Sequence, residues 1–334
     1  MDILTHGLLG AALAQSAARP NEARMAAWIG FAAGLAVDAD VLIGSAGDPL
    51  LAIEYHRHFT HAILFIPFGA LIVAALLWPF VRKRMAFGRL YVFALLGYSL
   101  HGFLDACTSF GTYLLWPFVQ ERITFNVIAV VDPVFTLVLL TGVAVAWKKR
   151  QRMAAHIGLA VAAAYLLFGW VQHERAAALI HALADGRGHR IERVVVKPTL
   201  GNLLLWRTIY RADGMYYVDA VRAGIFAGPR VYEGGSLRMF VLERDLPRLP
   251  PSSVLYRDIV RFTVLSDGFV AIHPDRPEVL ADARYSNEPT SIRPLWGIEM
   301  DFSQPQRHVH YAFYRDLSKD TRQRFFAMLF NRDI

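Results

Sequence analysis

Three histidines and an arginine fall within six residues at His56-Arg57-His58-Phe59-Thr60-His61, just before a long apolar run. Imidazole is costly in a core and is a common metal ligand, so a cluster this dense points to coordination chemistry more than to packing. His6, Asp38, Asp40, His101, Asp105 and Asp132 recur along the same half of the chain in equally apolar surroundings. An ionisable group inside a membrane segment costs at least ~2.5–3.5 kcal/mol, so several together mark a functional interior. Mixed Asp and His donors suit divalent Zn, Mn or Fe. His101 and Asp105 are four apart, share one helix face and could grip one ion. Asp38 and Asp40 are two apart and cannot share a regular helix face. Either the helix ends there, or the two serve different ions or shells. Arg57 offers a fork for a phosphate or other anion, and Thr60 is a candidate cap for the following helix. Asp132 precedes Pro133 and reads either as part of the ligand shell or as an N-cap.

These residues sit on six apolar segments, at about 3–18, 25–44, 61–81, 90–107, 127–147 and 155–171. The first is short and rich in small residues. The loops at 19–24, 82–89 and 148–154 hold ten Lys and Arg residues, whereas the opposite loops hold only Arg57 and Arg122. That asymmetry makes the basic face cytoplasmic. The Asp and His residues named above then lie at the other, extracytoplasmic level, at five helix ends facing one another. The basic-face halves of the later segments are almost wholly apolar, which describes a one-sided pocket.

From about residue 173 arginine becomes frequent and apolar residues alternate with polar ones. Strands are expected at 193–197, 203–210, 215–221, 237–242 and 260–265, with a closing helix from the N-cap Ser318 to Phe330. The expected architecture is an α-helical membrane bundle of about six transmembrane helices, residues 1–172. A β-rich α+β soluble domain, residues 173–334, follows on the extracytoplasmic side.

The chain has 334 residues, is 55% hydrophobic and carries a net charge of +7. Its N-terminal basic residues cluster in short loops where topology explains them, so no nucleic-acid partner is expected. Membrane lipids and a small or lipid-linked substrate are the expected partners. A single cysteine, Cys107, forbids an intrachain disulfide and reads as a small packed residue. The start lacks the basic region of a cleavable signal, so none is expected.

Met1-Asp2 with Thr5-His6 and Gly10, Asp38-Ala39-Asp40, His56-Arg57 with Thr60-His61, His101 with Asp105, and Asp132-Pro133 occur in the order found in one family. Over residues 1–170 the chain resembles the YdjM/YbcI-type membrane-bound, metal-dependent hydrolases. His58 and Ala62 stand where that family has glycine and serine, which makes His58 a poor candidate for a shared role. The tail is more loosely similar to longer members through Leu205-Trp206-Arg207 and Asp282-Ala283-Arg284-Tyr285-Ser286. The resemblance implies a bacterial inner-membrane, multi-pass hydrolase with bound metal. A distant similarity to zinc-dependent phospholipase C and P1-type nucleases implies a phosphoester substrate and zinc.

The combined expectation is a hydrolase using metal-activated water at the outer face of the membrane. His6, Asp38, His61, His101 and Asp105 are the first-choice ligands, with His56 next. Asp40 and Asp132 are expected as general base or as partners that orient the imidazoles, and Arg57 as the group that offsets negative charge. A non-enzymatic transporter or metal-binding membrane module is the alternative, since intramembrane Asp and His also build ion paths.

Overall fold

A computed structural model describes residues 1–225, 228–316 and 318–333. The chain divides into two compact units. The first comprises Met1–Ile43, Tyr55–Val171 and Leu200–Asn202, and the second Gly44–Glu54, Gln172–Thr199 and the rest from Leu203.

The first unit is helical. Helix α1 (Ile3–Ser16) is capped by Asp2, whose carboxylate accepts from Thr5 N–H at 3.0 Å. Helix α2 (Ala23–Ala36) runs into a 3-10 turn, Val37–Leu42. The two helices approach backbone to backbone: a Cβ on Gly10 would lie 2.3 Å from the Gly30 carbonyl oxygen. The short α3 (Leu51–Tyr55) is followed by 3-10 turns at Phe59–His61 and Ile63–Phe65, then α4 (Ile66–Val81) and α5 (Phe87–Ser99). Leu100 breaks the fourth segment, and α6 (His101–Ala106) begins immediately after it. Helices α7 (Pro133–Lys149) and α8 (Arg152–Gly186) complete the set.

Three helical stretches are long and apolar enough to cross a membrane, Ala23–Leu42, Ile63–Val81 and Arg152–Gly186. Six full-length spans are not seen among the described residues. Helices α1, α5 and α7 have 14, 13 and 17 residues, fewer than the ~20 that a perpendicular crossing needs.

Two segment boundaries differ from expectation. The fifth helix starts at Pro133 and not near 127, because Asp132 accepts from Phe135 N–H at 3.0 Å and proline is already set for the first helical position. The sixth does not stop near 171. It continues to Gly186 because Ala176, Ile180 and Ala184, spaced by four, bury one stripe against Trp206 and Tyr210 of the second unit's first sheet.

That second unit holds two antiparallel sheets, each ordered as in the chain. The first is β1 (Arg193–Pro198), β2 (Leu205–Ala212), β3 (Met215–Arg222) and β4 (Arg230–Arg238). Asp213 and Gly214, both at positive φ, form the two-residue turn between β2 and β3. Helices α9 (Leu242–Asp245) and α10 (Val254–Leu265) precede the second sheet, β5 (Val270–His273), β6 (Arg276–Asp282), β7 (Trp296–Glu299) and β8 (His310–Phe313). The closing helix α11 (Lys319–Leu329) has Ser318 as its N-cap, as expected.

Two expected strands are corrected. The run 237–242 straddles the end of β4 and the start of α9. The run 260–265 is helical: Ser253 caps α10, and Leu255, Asp258, Ile259 and Phe262 are buried at helical spacing.

The segment Gly44–Glu54 lies in sequence between Asp40 and His56 but belongs to the second unit. Leu50 is fully buried in that unit's core with Phe240, Leu255, Ile259 and Phe262. Arg261 fastens the segment further. Its guanidinium donates to both carboxylate oxygens of Asp48 (3.1 and 2.9 Å), to both of Glu54 (2.7 and 2.8 Å) and to Asp258 at 2.8 Å.

Candidate metal centre

Four donor atoms from three parts of the first unit meet at one point. Asp38 comes from the 3-10 turn that ends α2, His61 from the turn before α4, and His101 and Asp105 from α6. His61 Nε2 lies 3.4 Å from Asp38 Oδ1 and 3.3 Å from Asp105 Oδ2. His101 Nε2 lies 3.4 Å from the same Asp38 oxygen and 3.6 Å from the same Asp105 oxygen. The edge of a tetrahedron of N and O ligands around a zinc-sized ion is about 3.3–3.5 Å.

The buried His61 Nε2, His101 Nε2 and Asp105 Oδ2 make no hydrogen bond. Leaving such atoms unpaired costs ~1–3 kcal/mol each, and a cation at their common point would remove that cost. The other ring nitrogens are held as metal-binding imidazoles require. His101 Nδ1 donates to the Gly34 carbonyl at 2.7 Å. His61 Nδ1 lies 3.1 Å from Asp40 Oδ2 and 2.9 Å from Thr60 Oγ1. With Nδ1 protonated, each Nε2 lone pair faces inward. Four of the donor–donor separations match that edge and all lie within 4.8 Å, so the set fits a four-coordinate divalent cation of about zinc's size.

The sequence candidates sort by these contacts. His6 stacks on His101 with ring centroids 3.5 Å apart, and its Nε2 sits 3.0 Å from the outer oxygen of Asp105. It braces two donors and does not join the four-atom set. The Met1 amino group meets that same Asp105 oxygen. Asp40 is fully engaged: Oδ2 accepts from Arg57 N–H and Thr60 O–H, both at 2.8 Å, while Oδ1 faces His56 Nδ1 at 3.2 Å. Arg57 is buried at positive φ, with Nε 3.1 Å from Asp105 Oδ2 and a terminal nitrogen donating to Thr108 Oγ1 at 3.0 Å.

Asp132 stands apart from the expected general base. Its oxygens accept from Phe135 N–H and from Tyr165 O–H at 2.9 Å, the arrangement of a helix cap. Thr60, by contrast, does not cap the helix that follows and serves Asp40 and His61 instead. His58 packs among Tyr55, Phe59, Tyr113 and Trp116. Cys107 is buried and unpaired with sulfur.

The YdjM inner membrane protein family matches residues 1–176, the stretch that contributes every residue of this cluster. The chain belongs to that family. The family's name places its members in the inner membrane. A curated relative, the uncharacterized protein YfhP of Bacillus subtilis (strain 168), is 25% identical over 232 residues, covering 67% of this chain and 69% of that protein. No solved structure matches.

Sequence reasoning missed the Met1 amino group and two further partners of this YdjM-family cluster. The Gly34 carbonyl orients His101, and a backbone oxygen leaves no trace in residue type. Thr108 holds Arg57, and its placement three residues after Asp105 was the available clue, since its hydroxyl also bonds the Asp105 carbonyl at 2.8 Å.

Proposed function

We propose that this YdjM-family protein is a membrane-embedded metal-dependent hydrolase acting on a phosphoester, in a lipid-linked or amphiphilic substrate. The supporting observation is the convergence with Asp38 of three buried donor atoms that make no hydrogen bond, at separations that suit ligands of one small cation. Zinc is the ion this His2Asp2 set suits best, with Mn or Fe as the other candidates. A divalent cation bound there supplies Lewis acidity and a water of lowered pKa.

The chain's own residues do the rest. Asp40 fixes the orientation of His61, and the Gly34 carbonyl that of His101. His6 holds Asp105 and His101 in place. Arg57, beside Asp105 Oδ2 and braced by Thr108, is placed to bind a phosphoryl oxygen and offset charge that develops on it. Asp38 is the one donor of the four with appreciable exposure, its side chain 21% accessible, so substrate approaches past it.

In this reading six apolar segments cross the membrane, the shorter ones extended by their flanking turns or met by local thinning of the bilayer. The basic loops face the cytoplasm. The site and the C-terminal domain then lie on the extracytoplasmic side, at headgroup level.

The test is elemental analysis of the detergent-purified protein beside a His61→Ala/His101→Ala double variant, followed by phosphodiester and phospholipid assays. Stoichiometric metal lost in a still-folded variant, with metal-dependent phosphoester cleavage, supports the proposal. Absence of metal even after reloading sinks it, and metal without any phosphoester turnover sinks the substrate class.

A further inference from the structure

Asp38 is shared between two groups. Besides facing His61 and His101, it forms with Asp40 and His56 a second set whose donor atoms all lie within 4.8 Å of one another. We propose that Asp38, Asp40 and His56 hold a second divalent cation, linked to the first through Asp38. This rests on the reading of the first set as a metal centre.

The contacts of Asp40 carry the argument. Its Oδ2 is saturated by Arg57 N–H, Thr60 O–H and His61 Nδ1. Among the described residues, its Oδ1 meets His56 Nδ1, at 3.2 Å, as its one hydrogen-bond partner. A charge-assisted N–H···O⁻ bond closes to about 2.7–2.9 Å, so this contact is long for one. It matches the separation of two ligands on one small cation, about 3.0–3.4 Å. Asp40 would then act with both oxygens: one orients a ligand of the first ion, the other binds the second.

Exposure separates the two positions. The side chains of His61, His101 and Asp105 are at most 1% accessible and Asp40 is as deeply buried, whereas His56, which belongs to the second position alone, is 32% accessible and the shared Asp38 21%. The second position is therefore at the mouth of the site and exchangeable. Two carboxylates and one imidazole, with room for water, favour a harder ion such as Mn²⁺. Charge gives the same order. Three carboxylates (Asp38, Asp40, Asp105) against Arg57, the Met1 amino group at Asp105 and one divalent ion leave at most one positive charge. A second divalent ion adds two positive charges, the charge that a phosphate dianion cancels. The ligand completing the second position is accordingly an anionic phosphoryl group, and phosphate should tighten the second ion without affecting the first.

The experiment uses the full-length protein in detergent, stripped and then titrated with Mn²⁺, with and without inorganic phosphate. Ion stoichiometry is read after desalting, and the Mn²⁺ spectrum by electron paramagnetic resonance. Two ions per chain with an exchange-coupled spectrum are expected, the second binding at least tenfold tighter with phosphate. His56→Ala should retain one ion, uncoupled and with unchanged affinity. His56→Asn, which can still hydrogen-bond Asp40, replaces it if the alanine variant does not purify folded. A single ion in the unmodified protein at saturation, with or without phosphate, overturns the second site and leaves the proposed hydrolase standing. Two coupled ions persisting in the folded His56 variants also overturn it. No ion at all overturns both readings.

Discussion

Asp40 and Asp38 show how two residues of one type, two positions apart, are given different work. The regular helix ends at Ala36, and the tighter turn that follows sends Asp38 toward His61 and His101 and Asp40 toward His56 and Arg57. Asp40→Asn should keep the first metal position but weaken it about 10–100-fold, measured by competition with a chelating dye. Arg57→Lys keeps the charge but loses the fork that spans Asp105 and Thr108. Turnover should fall about 10²–10³-fold while metal content stays unchanged; a parallel loss of metal would show Arg57 to be structural. The residue types and order of the cluster were legible in sequence because buried Asp and His are rare enough to stand out. Which oxygen of Asp40 does what was not, because it depends on the turn geometry and on a backbone N–H. Asp132 resembled the others by type, but its neighbour Pro133 was the better guide.

At the scale of elements, close approach sets the site. Gly102, directly after His101, sits so near the preceding turn that a Cβ would fall 2.2 Å from the His61 carbonyl oxygen. Gly102→Ala must push α6 from the turn that carries His61, so the variant should lose metal while its helix content by circular dichroism holds. Retained stoichiometric metal would show that the turn can yield. Ser253→Ala removes the cap of α10 and should cost about 1 kcal/mol, read by denaturant unfolding. That helix also marks the limit of sequence reading: the run from Val260 to Leu265 has the composition of a strand, and the cap and the burial of Leu255, Ile259 and Phe262 reveal a helical period. The six apolar runs were visible. Their interruption at Leu100 was not, since leucine carries no helix-stop signal.

The second unit is fastened in part by ion pairs. Burial works against the Asp48 carboxylate, yet Arg261 holds its carboxyl below the ordinary range. A carboxyl depressed in the folded state stabilises above its unfolded value, about 4, and that contribution is lost as pH falls through the folded value. Unfolding of this unit should therefore grow easier below about pH 4, and Arg261→Ala should flatten that dependence. Lys197 has the opposite sense. Burial, with Arg284 and Arg207 nearby, pushes its amine well below the usual lysine value, and the nitrogen lies 3.0 Å over the Tyr285 ring without a hydrogen bond. The unfolded chain takes up that proton more readily, so at neutral pH the residue costs stability, less so as pH rises toward the unfolded value. Lys197→Met should recover about 1 kcal/mol and raise Tm by about 2–4 °C; a lower Tm would mean that the ring contact outweighs burial. The buried place of Leu50 bears on biosynthesis. Its neighbours in that core run from Phe240 to Val309, and a ribosome delivers residues in order at roughly 5–20 per second. The loop joining Asp40 to His56 consequently waits, unseated, until nearly the whole chain has emerged. A nascent chain therefore carries every donor of the centre long before the loop between Asp40 and His56 is anchored.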